Sequence, residues 1–149
     1  MHAFSITAAL PRVFANEAHR SHHGFMASDI NESPTPFGAV AEWSGRTLFV
    51  TATGEVELVN SPQLESVLNQ ALADKPDVLV LDLMDVTFLS SAGLAVLVRA
   101  HRDAEAVGTR FRVVAANAAT LRPIQLMGLD QEFDVYADRE DALSGAPGL

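Results

Sequence analysis

From Val78 to Leu83 the chain runs Val-Leu-Val-Leu-Asp-Leu, almost without polar interruption. A continuous apolar run of this length marks a strand buried on both faces, as in a parallel sheet. Ahead of it, Ala39 to Trp43 and Thr47 to Thr53 alternate and are rich in β-formers, with Ser44-Gly45-Arg46 between them. That pattern predicts a hairpin. Gly54-Glu-Val-Glu57 then leads to Asn60-Ser61-Pro62, where Pro62 suits a first helical turn behind an Asn or Ser cap. Leu64, Val67, Leu68, Ala71 and Leu72 follow at helical spacing, and the helix should stop near Asp74-Lys75-Pro76.

Beyond Leu83 the apolar run ends, which predicts a short crossing loop before Ser90-Ser91. Leu94, Leu97, Val98 and His101 then mark one face of a helix that should stop at about Val107-Gly108. The remaining pattern predicts a strand over Phe111 to Ala115, a helix over Ala118 to Met127 with Gly128 behind it, a short strand over Phe133 to Tyr136, and a closing helical turn or two over Asp138 to Leu143. The order is β-β-α-β-α-β-α-β-α. Two strands before the first helix make an antiparallel start, and the later alternation implies parallel pairing with right-handed crossovers.

Residues 1 to 36 do not share this regularity. They hold His2, His19, His22 and His23 and end in Asn31-Glu-Ser-Pro-Thr-Pro36, a linker composition. Phe4 to Ala18 could form a weak helix. The expected organisation is a flexible N-terminal arm over 1–36, one folded domain over 37–145 and a frayed tail over 146–149.

With 149 residues, 48% of them apolar, the chain has enough material for one real core. A net charge of −9 disfavours direct nucleic-acid binding, because phosphates are repelled. Without cysteine there is no disulfide, thiolate nucleophile or Cys-based zinc site. No apolar run approaches the roughly 20 residues that cross a bilayer, and Met1 to Leu10 lacks the basic flank of a signal peptide. These features lead us to expect a cytoplasmic protein with no membrane partner, no cofactor and no metal.

The chemistry worth weighing lies at Ser90-Ser91. A hydroxyl pair where a strand feeds a helix is a good site for a phosphate, since the helix N-terminus has unpaired N–H groups and partial positive charge. The plain alternative is that Ser91 simply caps the helix. Asp82 and Asp85 form an acidic pair at a strand end with no third metal ligand in view, so loop capping is the simpler role. Glu55 and Glu57 lack the nucleophile or convergent histidine that acid–base catalysis needs. His101 reads as a packed histidine, Trp43 and Phe49 as core or sheet-face residues, and His22-His23 as weak ligands without acidic or cysteine company. No Walker-type phosphate loop occurs, which argues against a kinase.

Three blocks resemble the STAS domain of bacterial anti-sigma factor antagonists, over roughly Ala39 to Leu143. They are Gly54-Glu-Val-Glu-Leu58, then Leu81-Asp-Leu-Met-Asp-Val-Thr-Phe-Leu-Ser-Ser-Ala-Gly-Leu94, and Leu126-Met-Gly-Leu-Asp-Gln-Glu-Phe133 with Val135-Tyr136 and Glu140-Asp-Ala-Leu143. The resemblance implies a STAS-like α/β fold. This has a mixed central sheet of about five strands with an antiparallel N-terminal hairpin, then β-α-β-α-β-α, and helices mainly on one face. It implies a non-enzymatic partner switch. The unphosphorylated protein binds an anti-sigma factor, which can itself be a GHKL-type serine kinase, and so releases a sigma factor. Phosphorylation on a loop serine ends that binding, and a serine phosphatase resets the cycle.

Anchored on Gly93 and Leu94, the family's phosphorylated serine falls at Ser91, with Ser90 as second choice. Ser90 stands where the family usually has aspartate, and Glu57 where Asp is common. The implied partner contacts are Glu55, Glu57, Asn60, Ser61, Ser90, Ser91, Ala92, Gly93 and Leu94. The competing implication is a STAS scaffold or sensor module of a stress or lipid-transport complex whose serines stay unmodified. A small α/β enzyme is a third reading, without a catalytic constellation to carry it.

Overall fold

Gly45, with φ of 61°, turns the chain between β1 (Gly38–Ser44) and β2 (Thr47–Val56), which pair antiparallel from Gly38 opposite Thr53 to Ser44 opposite Thr47. A computed structural model describes residues 36–145. The expectations for the arm, its histidines and the weak helix over Phe4 to Ala18, and for the tail over 146–149, lie outside the described residues. After β2 come α1 (Ser61–Ala73), β3 (Val78–Leu89), α2 (Ser91–Ala106), β4 (Arg110–Val114), α3 (Ala118–Leu126), a 3-10 turn (Leu129–Gln131), β5 (Asp134–Tyr136) and α4 (Arg139–Ser144).

The five strands lie in chain order, β1-β2-β3-β4-β5, and all pairs after the hairpin are parallel. Right-handed crossovers that always step in the same direction keep their helices on one side of a sheet. Accordingly α1, α2 and α3 share a face, and Leu64, Leu68, Leu97 and Ile124 meet Leu48, Val50, Leu79, Leu81 and Leu83 in the main core. Each such fully buried side chain contributes about 1.5–3 kcal/mol of transfer free energy. Between α1 and α2, Arg99 donates to both carboxylate oxygens of Glu65 at 2.6 and 3.0 Å. That hydrogen bond holds the Glu65 carboxyl below the usual glutamate range. Among the described residues, no helix is long and apolar enough to cross a membrane.

The other face carries a smaller cluster of Phe49, Val80, Val114, Tyr136 and Ala142, covered by α4. Arg139 of α4 lies over the Phe49 ring at 4.4 Å, with its Nε 3.6 Å from Asp82 Oδ2. Arg112 donates to the Ala142 carbonyl at 2.7 Å. Asp82 therefore does not lie at a strand end or in a loop. It sits buried inside β3 opposite Thr51 and Val114, and its second oxygen accepts from the Met84 amide at 2.9 Å.

The crossing loop expected after Leu83 is strand. β3 continues to Leu89, with two register shifts against β2, so Asp85 lies opposite Thr53 and Phe88 opposite Glu55. Each shift sets an extra residue against the partner strand, and this scrambles the period-two pattern that marks a strand. β4 accompanies β3 only as far as Asp82. Past that point the β4 side of β3 is closed by Asn117. Its amide donates to the carbonyls of Met84 and Val86 at 3.2 and 3.4 Å, while its Oδ1 caps α3 by accepting from Thr120 N at 3.1 Å. We expect Asn117→Ala to lower stability by about 1–2 kcal/mol, through loss of a cap and of two carbonyl partners. Urea titration checks this, since the midpoint should fall with little change in slope.

Candidate functional site

The end of the sheet where β2 and β3 finish gathers most of the residues singled out above. Ser90 ties the two strands to α2. Its amide donates to the Val56 carbonyl at 2.9 Å, its carbonyl accepts from Leu94 N at 2.9 Å, and its Oγ accepts from Gly93 N at 3.2 Å. With φ −80° and ψ 172°, Ser90 is the N-cap, and Ser91 is the first helical residue. This corrects the expectation that Ser91 caps the helix. The strand runs to Leu89, so the half-in position that a cap needs falls on Ser90.

The two hydroxyls are consequently unequal. That of Ser90 is engaged and half-buried. Ser91 is exposed, and its hydroxyl makes no hydrogen bond among the described residues. Behind it the amides of Ser91 and Ala92 have no intrahelical partner, as at any helix start. Ser90→Ala should lower stability by about 1 kcal/mol, as loss of an N-cap does, without removing the exposed alcohol. A thermal melt reads the first effect, and mass after kinase treatment reads the second.

Gly93 and Leu94 are buried. A Cβ on Gly93 would come within 2.7 Å of Leu89 Cδ1 and 2.8 Å of Val56 Cγ1. The glycine thus lets α2 lie tight on the strand ends, and it works from beneath the surface. Gly93 and Leu94, both expected among the partner contacts, lie beneath the surface that Ser91 presents. Ser61 is likewise buried, with its Oγ donating to the Leu58 carbonyl at 3.3 Å.

The β2–α1 turn is braced by Asn60. Its Oδ1 accepts from Glu57 N at 2.9 Å and its Nδ2 donates to Glu55 O at 2.8 Å. The Asn60 side chain thus reaches back to β2 and makes no capping bond forward onto α1. At the tip of this turn stand Leu58, 75% exposed, and Val59, 85% exposed. Phe88, 48% exposed, stands opposite Glu55. None of these three was among the sequence candidates. The signal for the first two was an apolar pair inside a polar turn, between Glu57 and Asn60. The ionisable groups on these segments, Glu55, Glu57 and Asp85, are all acids.

Not every candidate is drawn to this end. His101 lies on α2 with its ring 6.0 Å from Phe133 and its Nε2 3.7 Å from Glu105. Trp43 packs against the main core, and Phe49 lies under Arg139. Glu55 and Glu57 stand on a strand end and a turn beside a serine cap, with no histidine among the residues that bond this turn.

A model of the STAS domain matches residues 39–142. The anti-sigma-F factor antagonist RsfB of Mycobacterium tuberculosis is 41% identical over 97 residues, which is 64% of this chain and 77% of that protein. The crystal structure of an anti-sigma factor antagonist from Mycobacterium paratuberculosis superposes with a TM-score of 0.72 at 36% identity, over 76% of this chain and 96% of the other. Unphosphorylated SpoIIAA superposes with a TM-score of 0.60 over 72% of this chain and 96% of its own, and at 19% identity it speaks to the fold.

Proposed function

The chain belongs to the STAS domain family as a homologue of the anti-sigma factor antagonists, and from that premise we propose that it binds an anti-sigma factor through the end of the sheet around Ser91 and is released when Ser91 is phosphorylated. The family is one of regulatory binding proteins and not of enzymes. The observation that carries the reading is the difference between the two serines. Ser90 is spent on the cap, whereas the Ser91 hydroxyl stands exposed and unengaged on the first turn of a 16-residue helix.

The docking surface has a mixed character. Leu58, Val59 and Phe88 offer apolar contact, and Glu55, Glu57 and Asp85 surround it with negative charge. Apolar anchors in a charged rim are the usual anatomy of a protein interface. Ser91 adds a switch to this surface, because a phosphate brings about −1.5 to −2 charges without requiring the backbone to move.

Incubation of the intact protein with a GHKL-type anti-sigma kinase and ATP, followed by mass spectrometry, tests the assignment. One phosphate should be added, and Ser91→Ala should take up none and stay bound to the anti-sigma factor. A phosphate that persists on Ser91→Ala moves the site to Ser90. No uptake by the unaltered chain from any anti-sigma kinase, with the anti-sigma factor ignored in a pull-down, leaves the unmodified scaffold module as the better reading.

A further inference from the structure

The hairpin sends the N-terminal segment back to the working end of the sheet. Gly38 lies opposite Thr53, near the top of β2, and Phe37 is buried in the main core. Pro36, which follows the first 35 residues of the chain, therefore stands beside the strand ends. The sheet face nearest this attachment is the one that α4 leaves open. On β2, Ala52, Gly54 and Val56 are buried toward the helices, so Thr51, Thr53 and Glu55 point to the other side. Asp85 and Phe88 stand opposite Thr53 and Glu55 on that same side. Exposed Val40 of β1 and Met84 of β3 flank the strip, and α4 reaches only the lower cluster around Phe49.

We infer that the stretch His19-Arg-Ser-His-His-Gly-Phe-Met26 of the same chain docks on this strip, against Asp85, Glu55 and Phe88. Three properties of the chain support that occupant. The stretch carries no acid in a protein with 19 acidic and 10 basic side chains, and it offers Arg20 to the two carboxylates. Phe25 and Met26 supply apolar partners for Phe88 and Met84. Nine residues lie between Met26 and Pro36, and the ten steps span up to about 33 Å when extended, ample reach to a strip that begins at the attachment point. Tethering at this length gives an effective concentration in the millimolar range, so weak contacts suffice. Phe88 is three residues from Ser91, so a docked segment covers the flank of the exposed alcohol. The docking stands on its own observations. Its consequence, competition with kinase or anti-sigma factor, rests on the proposed function.

The absence of native cysteine allows a single nitroxide to be placed by Ser21→Cys in the full chain. In a 15N spectrum, the amides of Asp85 and Phe88 should lose roughly half their intensity or more, while those of Asn69 and Gln70 on α1 keep theirs. In the same labelled chain, Arg20→Glu with His22→Glu and His23→Glu should restore the lost signals. Equal broadening in the charge-reversed chain, broadening spread evenly over the domain, or none at all overturns the inference. Broadening of an unlabelled 15N chain mixed with a labelled 14N chain also overturns it and assigns the strip to a second copy. None of these readouts involves phosphate, so a failure here leaves the Ser91 assignment to its own test.

Discussion

Phosphate on Ser91 will weaken binding to the anti-sigma factor by at least about a hundredfold, with no change in the fold of the antagonist. The size follows from the surroundings of the alcohol. The helix start offsets some of the added charge on the free protein, by roughly 0.3–1 kcal/mol. The ionisable side chains at this end of β2 and β3, Glu55, Glu57 and Asp85, are acids and offer the dianion no counter-charge. Once a partner closes over Leu58, Val59 and Phe88, the dianion loses water and gains no basic group from these segments. Desolvating an unpaired charge costs several kcal/mol, and about 1.4 kcal/mol is a factor of ten. Calorimetric titration of the purified phospho and unmodified proteins against the same anti-sigma factor measures the ratio. Affinities within about threefold of each other would falsify the mechanism. Ser91→Ala should bind like the unmodified chain, because it removes only the point of attachment.

Gly93→Val will have the largest effect on stability, about 3 kcal/mol, and a fall in Tm of upward of roughly 10 °C. Leu89 can swing the tip of its side chain aside, but Val56 is β-branched and fully buried, so it has nowhere to go. The helix must then lift from the strand ends. The Ser90 bonds to Val56 and Gly93, at 2.9 and 3.2 Å, are the first to be lost. Gly93→Ala should be milder, because better helix propensity, worth about 1 kcal/mol, partly offsets the same crowding. Thermal unfolding monitored by circular dichroism separates the two variants. If Gly93→Val melts with the parent, the close seat of α2 on β2 and β3 is not what holds this end together.

Where burial was two-sided the pattern along the chain was easy to read. Val78 to Leu83 is covered by α2 and α3 on one face and by α4 on the other, and every residue from Leu79 to Leu83 is buried, Asp82 included. The next six residues belong to the same strand, yet Met84, Asp85, Thr87 and Phe88 are exposed and two register shifts break the alternation. With no cover on one face and an irregular ladder, the strand left no periodic signal. Losing those residues moved the expected helix start by one, and with it the cap from Ser90 to Ser91. Asn60 was legible as a residue of the β2–α1 junction but not in its direction, since a side chain that braces the turn behind it and one that caps the helix ahead share the same position in sequence. The buried setting of Gly93 was hidden for a related reason. Its neighbours Leu89 and Val56 are 4 and 37 positions away, and only the folded sheet brings both beneath it.

Each strand of the sheet lies beside the one synthesised just before it. A ribosome therefore delivers every new β-α segment to an edge that already exists, and no strand has to wait for a distant downstream partner. Pairings between chain neighbours keep loop-closure entropy small and favour rapid assembly. The growing chain can thus lay down its sheet vectorially, with α4 closing the back last.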